Sequence, residues 1–175
     1  IRFSFHPLAF SQVNAEVAGI LVRTAEELLR PSKDQRLLDL YCGYGLFGRY
    51  LQGDYAHVVG IESERGSLAA AREDAKETRK MQFRLGSIEG NSLDRILPRR
   101  DCHDEVVLLD PPRSGCAEGV IEALAHREPE TVVQLCCGVD EIPRQLGEWA
   151  RNGYRPARIV PLDMFAGAAA LEVAI

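Results

Sequence analysis

Apolar positions along the chain gather into short continuous runs, each closed by glycine, proline or an acid, with amphipathic stretches between them. Runs of this kind occupy residues 35–43, 57–62, 81–86, 105–112, 131–137, 157–165 and 171–175. A run that is apolar on successive residues, rather than alternate ones, fits a strand buried on both faces of a parallel sheet. Between the runs lie helical patterns. Residues 66–80 place Leu68, Ala71, Ala75 and Thr78 on one stripe among charged side chains, residues 117–126 and 140–152 behave alike, and residues 10–29 form an amphipathic helix closed by Pro31. Strands alternating with helices predict an α/β, doubly wound sheet of about seven mostly parallel strands with helices on both faces, built as one domain over residues 1–175. Such a sheet binds ligands outside the carboxyl ends of its strands, so residues just after a strand become site candidates.

Composition narrows the class. With 175 residues, 46% apolar and 27% charged, the chain has the make-up of a globular domain, which excludes disordered and fibrous classes. Apolar runs such as Val106 to Leu109 are far shorter than the roughly 20 residues of a membrane span, so no membrane association is expected. Residues 1–10 lack the pattern of a signal peptide, and five cysteines without C-x-x-C spacing argue against a disulfide framework or a zinc site. A reducing, cytoplasmic setting is the expectation. The four histidines, His6, His57, His103 and His126, are scattered, and no metal is expected. The first residue is not Met, so the chain reads as part of a longer protein. A net charge of −5 is not the basic footprint of a free-standing nucleic-acid binder; an RNA substrate would need help from upstream domains.

The first run passes into Asp39-Leu40-Tyr41-Cys42-Gly43-Tyr44-Gly45, and Gly43, Gly45 and Gly48 form G-x-G-x-x-G at the opening of a helix. Glu62 ends the second run, 19 residues beyond Gly43, where a carboxylate accepts from the ribose hydroxyls of an adenosine ligand. NAD and S-adenosylmethionine share that ribose, and the motif does not separate them. A tight turn beside a solvated glutamate is the plainer alternative. After the fourth run stands Asp110-Pro111-Pro112-Arg113-Ser114-Gly115, whose two prolines stiffen the loop and hold Asp110 at the strand end.

Gln12 in F-S-Q-V-N, the turn D-L-Y-C-G-Y-G, the acid Glu62, the loop D-P-P-R-S-G, a cysteine after the next run, and Asp163-Met164-Phe165 followed by Glu172 stand in one order along the chain. In that order the chain resembles the RNA 5-methyluridine methyltransferases over its whole length. The resemblance implies a Rossmann-like class I methyltransferase domain using S-adenosyl-L-methionine on uridine in tRNA or rRNA. By motif position it implies cofactor contacts from Gln12, Asp39, Tyr41, Gly43, Gly45, Glu62, Ser87 and Asp110. Leu46 replaces a residue that is often polar in the family.

The same resemblance assigns the chemistry. C5 of uracil is a poor nucleophile; a thiolate added at C6 makes it an enolate that can attack a methyl sulfonium, and a base must then remove the C5 proton. The family carries its nucleophile in S-C-N-P, which here reads Cys136-Cys137-Gly138-Val139, so Cys137 takes the nucleophile position and Glu172 that of the base. Loss of the Asn-Pro pair predicts a less rigidly fixed thiol. A P-Q-T-x-H-type segment is replaced by Ala166-Gly167-Ala168-Ala169-Ala170, which removes contacts to the base. Core packing for the cysteines and an edge-strand charge for Glu172 are the competing readings. So are a methyltransferase of this fold with another substrate, and a cofactor-binding domain without catalysis. Cys42, Cys102 and Cys116 read as packing or surface residues.

Overall fold

A computed structural model of the chain describes residues 15–76, 78–100, 104–163 and 171–175. The elements follow the expected alternation: α1 (Ala15–Leu29), β1 (Gln35–Leu40), α2 (Leu46–Leu51), β2 (His57–Glu62), α3 (Arg65–Asp74), β3 (Met81–Leu85), α4 (Gly90–Ile96), β4 (Asp104–Leu109), α5 (Val120–Ala125), β5 (Thr131–Cys136), α6 (Ile142–Arg151), β6 (Val160–Leu162) and β7 (Glu172–Ala174). The sheet runs in the order β3-β2-β1-β4-β5-β7-β6. Strands β1 to β5 pair in parallel, and β7 enters antiparallel between β5 and β6. The fold is therefore the mostly parallel, doubly wound α/β sheet that the apolar runs predict.

Every residue of β1 is buried, because helices cover both faces of the strand. Its alternate side chains divide between two cores. Leu37 joins Leu21, Ala25 and Leu29 of α1 and Phe47 and Leu51 of α2; Leu38 and Leu40 join Leu93 of α4, Val120 and Leu124 of α5 and Trp149 of α6. A third cluster, Leu68, Ala71, Ala75, Cys42 and Phe83, seats α3 and confirms its stripe as far as Ala75. Thr78 lies past the end of that helix, which stops at Asp74 rather than running to residue 80. The sixth run is likewise shorter than residues 157–165: three residues, Val160–Leu162, pair with β7, and residues 155–159 are exposed.

The strand order reverses between β1 and β4, since β1 is followed in space by β2 on one side and β4 on the other. The crevice of a doubly wound sheet opens at that switch point, beyond Leu40 and Leu109. The D-L-Y-C-G-Y-G turn and the D-P-P-R-S-G loop both start there. Gln12 and Met164–Ala170, named in the sequence reading, lie outside the described residues.

Candidate active site

Asp39, the fifth residue of β1, is fully buried on the α2 side of the sheet. Its Oδ2 accepts from the Gly48 N–H at 3.1 Å, while Oδ1 is buried with no partner. Burial, with the charge of Glu62 adding to it, pushes its carboxyl up to about 7. The turn that follows is unusual in its backbone: Tyr41, Gly43 and Gly45 all have positive φ, at 62°, 53° and 81°. Gly45 is needed twice over, since a Cβ there would also lie 2.7 Å from the Phe83 ring. Tyr41 is a bulky residue held in the left-handed region, a strain that clusters at functional sites. Its hydroxyl sits with the Cys116 thiol and the Ala117 backbone, which ties the turn to the loop after β4.

Glu62 ends β2 as the glycine spacing predicts. Its Oε2 accepts from the Gly43 N–H at 2.9 Å, and its Oε1 from the Ser63 and Glu64 N–H groups at 2.7 and 2.8 Å. A carboxylate offers about four acceptor positions, so Oε2 keeps capacity for a further donor. Gly43 has nothing within 4 Å of the place a Cβ would take, so open space lies beside this carboxylate. Ser87, two residues past β3, is exposed and donates to Glu89 Oε1 at 2.8 Å. Asp110 follows β4, and its N–H donates to the Leu40 carbonyl at 3.3 Å, which holds it beside the turn. Burial first, then the charges of Glu172, Asp39 and Glu62, push its carboxyl up to about 8.

Cys137 directly follows β5, and Glu172 opens β7, the strand paired with it. Leu135 pairs with Ala174 and Cys136 with Val173 across β5 and β7. Leu135 and Ala174 belong to the α1-side core, and side chains alternate along a strand. Glu172, two residues before Ala174, faces that same side, and Cys137 lies one residue past the end of β5, where the Glu172 charge acts on its thiol. Glu172 is buried and Cys137 half-buried. Burial raises the Cys137 thiol, the Glu172 and Asp110 charges raise it further, and the Arg113 guanidinium lowers it. Burial also raises the Glu172 carboxyl, and Arg113 again opposes the shift. Cys136 is the buried one of the two cysteines; its thiol interacts with the Gln134 side chain, and burial pushes it up to about 11.

Two participants carry no role in the sequence reading. Arg113 of the D-P-P-R loop is a cation that acts on both Cys137 and Glu172. Gly138 counts in that reading only as a lost Asn. The Arg113 backbone packs directly on Gly138, the residue after Cys137. Nothing in spacing announces a contact between residues 25 positions apart. Cys42 and Cys116 are buried, as packing residues should be, while Cys102 lies outside the described residues. Among the described residues, no group of three or more His, Cys, Asp or Glu is placed to hold a metal, and no helix is long and apolar enough to cross a membrane.

Comparison with known proteins bears on this arrangement. An uncharacterised RNA methyltransferase of Thermosynechococcus vestitus is 34% identical, covering 98% of this chain and 38% of its own length. A 23S rRNA (uracil(1939)-C(5))-methyltransferase of Alkalilimnicola ehrlichii is 35% identical, covering 98% of this chain and 39% of its own length. Among solved structures, the tRNA (uracil-54, C5)-methyltransferase of Pyrococcus abyssi, in complex with S-adenosyl-L-homocysteine, superposes with a TM-score of 0.79 at 30% identity, covering 97% of this chain and 40% of that one. The chain thus spans about two-fifths of the length of these relatives. The family model described as tRNA (Uracil-5-)-methyltransferase matches residues 1–175, the same span over which the turn, the strand-end acids and the Cys137–Glu172 pair are arrayed, and the chain belongs to that family.

Proposed function

We propose that this chain is the catalytic domain of an S-adenosyl-L-methionine-dependent methyltransferase that methylates C5 of uridine in tRNA or rRNA. The observation that carries the reading is the placement of Cys137, directly after β5, within electrostatic reach of Glu172 at the start of β7, the strand paired with β5. The residues fit the cofactor. The unpartnered Asp39 Oδ1 is a buried acceptor suited to an ammonium, as is the carboxylate of Asp110, and the free capacity of Glu62 Oε2 suits ribose hydroxyls. Tyr41, Gly43 and Gly45 shape the turn around it, and the family resemblance adds Gln12 and, for the adenine, Ser87. Bound there, S-adenosylmethionine supplies an electrophilic methyl group on a sulfonium.

The chain's own residues do the rest. The Cys137 thiolate forms a bond to C6 of the uracil, which moves electron density to C5 and O4. Arg113 favours the thiolate that this step needs. Once C5 carries the methyl group, the Glu172 carboxylate takes the C5 proton. The electron pair of that C–H bond restores the C5–C6 double bond and expels the Cys137 thiolate. A uridine within folded RNA must leave its stack to reach a half-buried thiol. The cytoplasm is the setting in which such RNA substrates are found.

RNA containing 5-fluorouridine tests the assignment, because a C5 fluorine cannot leave as a proton and the adduct persists. In the intact protein with S-adenosylmethionine, wild type and Cys136→Ala should give an adduct that survives denaturation, and Cys137→Ala should not. With ordinary RNA, Glu172→Gln should accumulate the adduct that wild type resolves. An adduct lost in Cys136→Ala and kept in Cys137→Ala would reverse the two cysteines and overturn the reading.

A further inference from the structure

The loop after β4 and the segment after β5 touch where no side chain fits. Gly138 has φ −113° and ψ 90°, ordinary extended backbone that any residue adopts, so its conformation does not call for glycine. Space does. A Cβ at this position would lie 3.1 Å from the carbonyl carbon of Arg113 and 3.4 Å from its Cα, and well inside van der Waals contact with its carbonyl oxygen. The obstacle is backbone, which cannot swing aside as the end of a flexible side chain does.

The same loop is gripped from a second side. Arg144 Nη2 donates to the Ser114 carbonyl at 3.1 Å, and Gln145 Nε2 to the Cys116 carbonyl at 3.3 Å. Both side chains belong to α6, which a single 3-10 turn at Val139–Glu141 joins to Gly138, and the Glu141 N–H donates to the Gly138 carbonyl at 3.1 Å. Gln145 is tied back to β5 by a hydrogen bond from Gln134. One continuous stretch, from the end of β5 through α6, therefore clasps residues 113–116, and the clasp closes on Gly138.

Charge gives the clasp a consequence. Glu172 and Asp110 both disfavour a thiolate at Cys137, and Arg113 favours it. The guanidinium is carried on the backbone that rests on Gly138. We infer that Gly138 is a positioning residue: by admitting the Arg113 main chain against the segment bearing Cys137, it holds the Arg113 cation where it stabilises the Cys137 thiolate. In this chain, close packing of two backbones does the work that a rigid Asn-Pro pair after the cysteine would do. The inference rests on the proposed reading of Cys137 as the nucleophile.

Alkylation by iodoacetamide tests it without RNA. In the intact protein, the rate at Cys137, followed by peptide mass spectrometry across pH, reads the thiolate population. Gly138→Ala and Arg113→Ala should each move the inflection upward and slow the reaction near neutral pH by about fivefold, the equivalent of about 1 kcal/mol of lost charge stabilisation. The double variant should be no slower than either single one, and S-adenosylmethionine affinity in Gly138→Ala should stay within about twofold of wild type, because Asp39 and Glu62 lie on other segments and Asp110 is held to β1 by its own N–H bond to the Leu40 carbonyl. An unmoved inflection in folded Gly138→Ala, or additive slowing in the double variant, would overturn the inference. Arg113→Ala removes only an exposed side chain, so if Gly138→Ala does not fold, an unmoved inflection in Arg113→Ala overturns it instead. Methyl transfer that persists in Cys137→Ala would sink the nucleophile reading while leaving the alkylation result, and with it the clasp, standing.

Discussion

Asp39 is fully buried, takes one N–H from Gly48 and leaves its second oxygen without a partner, and burial lifts its carboxyl from 3.8 up to about 7. Between those two values the folded protein holds a proton that the unfolded chain has released. Stability therefore falls as pH rises through that window, and the loss is complete above about 7. Asp39→Asn keeps the shape and cannot ionise. Without cofactor, its Tm should match wild type near pH 4 and exceed it by several degrees near pH 8.5, since each tenfold change in proton affinity is worth about 1.4 kcal/mol and a domain this size gains about 2–4 °C per kcal/mol. S-adenosylmethionine binding should weaken by about tenfold or more, because a charge-assisted hydrogen bond is lost. Thermal melts across pH, paired with calorimetry, check both; equal Tm differences at the two pH values would refute the buried-acid account. Asp39, Glu62 and Asp110 were legible in the sequence because glycine spacing and strand-end acids are local signals. The pairing of Arg113 with Gly138 was not, because two loops distant in sequence meet only in the folded sheet.

At the scale of elements, the two ends of the sheet divide their tasks. The carboxyl ends hold the site; the amino ends of β1 and β4 hold a buried charge cluster. Arg36 donates to Glu105 Oε1 at 2.5 and 3.0 Å, and Arg127 donates to both Glu105 oxygens at 2.6 and 2.8 Å, with Arg127 also reaching the Pro98 carbonyl at 3.1 Å. The Glu105 and Arg36 side chains are 1% and 5% exposed, so neither charge has much water to fall back on. Removing the partner shared by a buried arginine, Arg36, and a half-buried one, Arg127, costs about 3–5 kcal/mol. Glu105→Ala should accordingly lower Tm by about 10 °C. Cofactor affinity measured well below that Tm should stay within about twofold, since the cluster lies at the far end of the strands. A large affinity loss in a folded variant would show that the two ends are coupled. Apolar runs such as Val106–Leu109 made these strands readable. Two elements were less so: α4 buries only Leu93 and carries almost no periodicity, and β7 runs antiparallel, a direction that apolar pattern does not encode.

For the whole molecule, charge balance is the property that bears most on an RNA substrate. The chain carries −5, and at the carboxyl ends of the strands Asp110 feels the charges of three other acids, Glu172, Asp39 and Glu62. A polyanion arriving there meets repulsion that Arg113 offsets in part and that a bound cation would offset further. S-adenosylmethionine carries a fixed sulfonium charge, whereas S-adenosylhomocysteine has lost it with the methyl group. RNA should therefore bind more tightly to the protein loaded with S-adenosylmethionine than to the same protein loaded with S-adenosylhomocysteine. By linkage, RNA should raise the ratio of S-adenosylmethionine to S-adenosylhomocysteine affinity by the same factor. The domain alone should bind RNA weakly, and the preference should shrink as salt rises, because the field of these acids is screened over about 10 Å at 0.1 M. Fluorescence anisotropy with a uridine-bearing stem-loop, titrated against each cofactor at two salt concentrations, measures the coupling, and calorimetry in the reverse direction checks its reciprocity. Equal RNA affinity with the two cofactors at low salt would mean that these acids are already neutral or paired when RNA arrives, and the raised carboxyls of Asp39 and Asp110 would then be the first place to look.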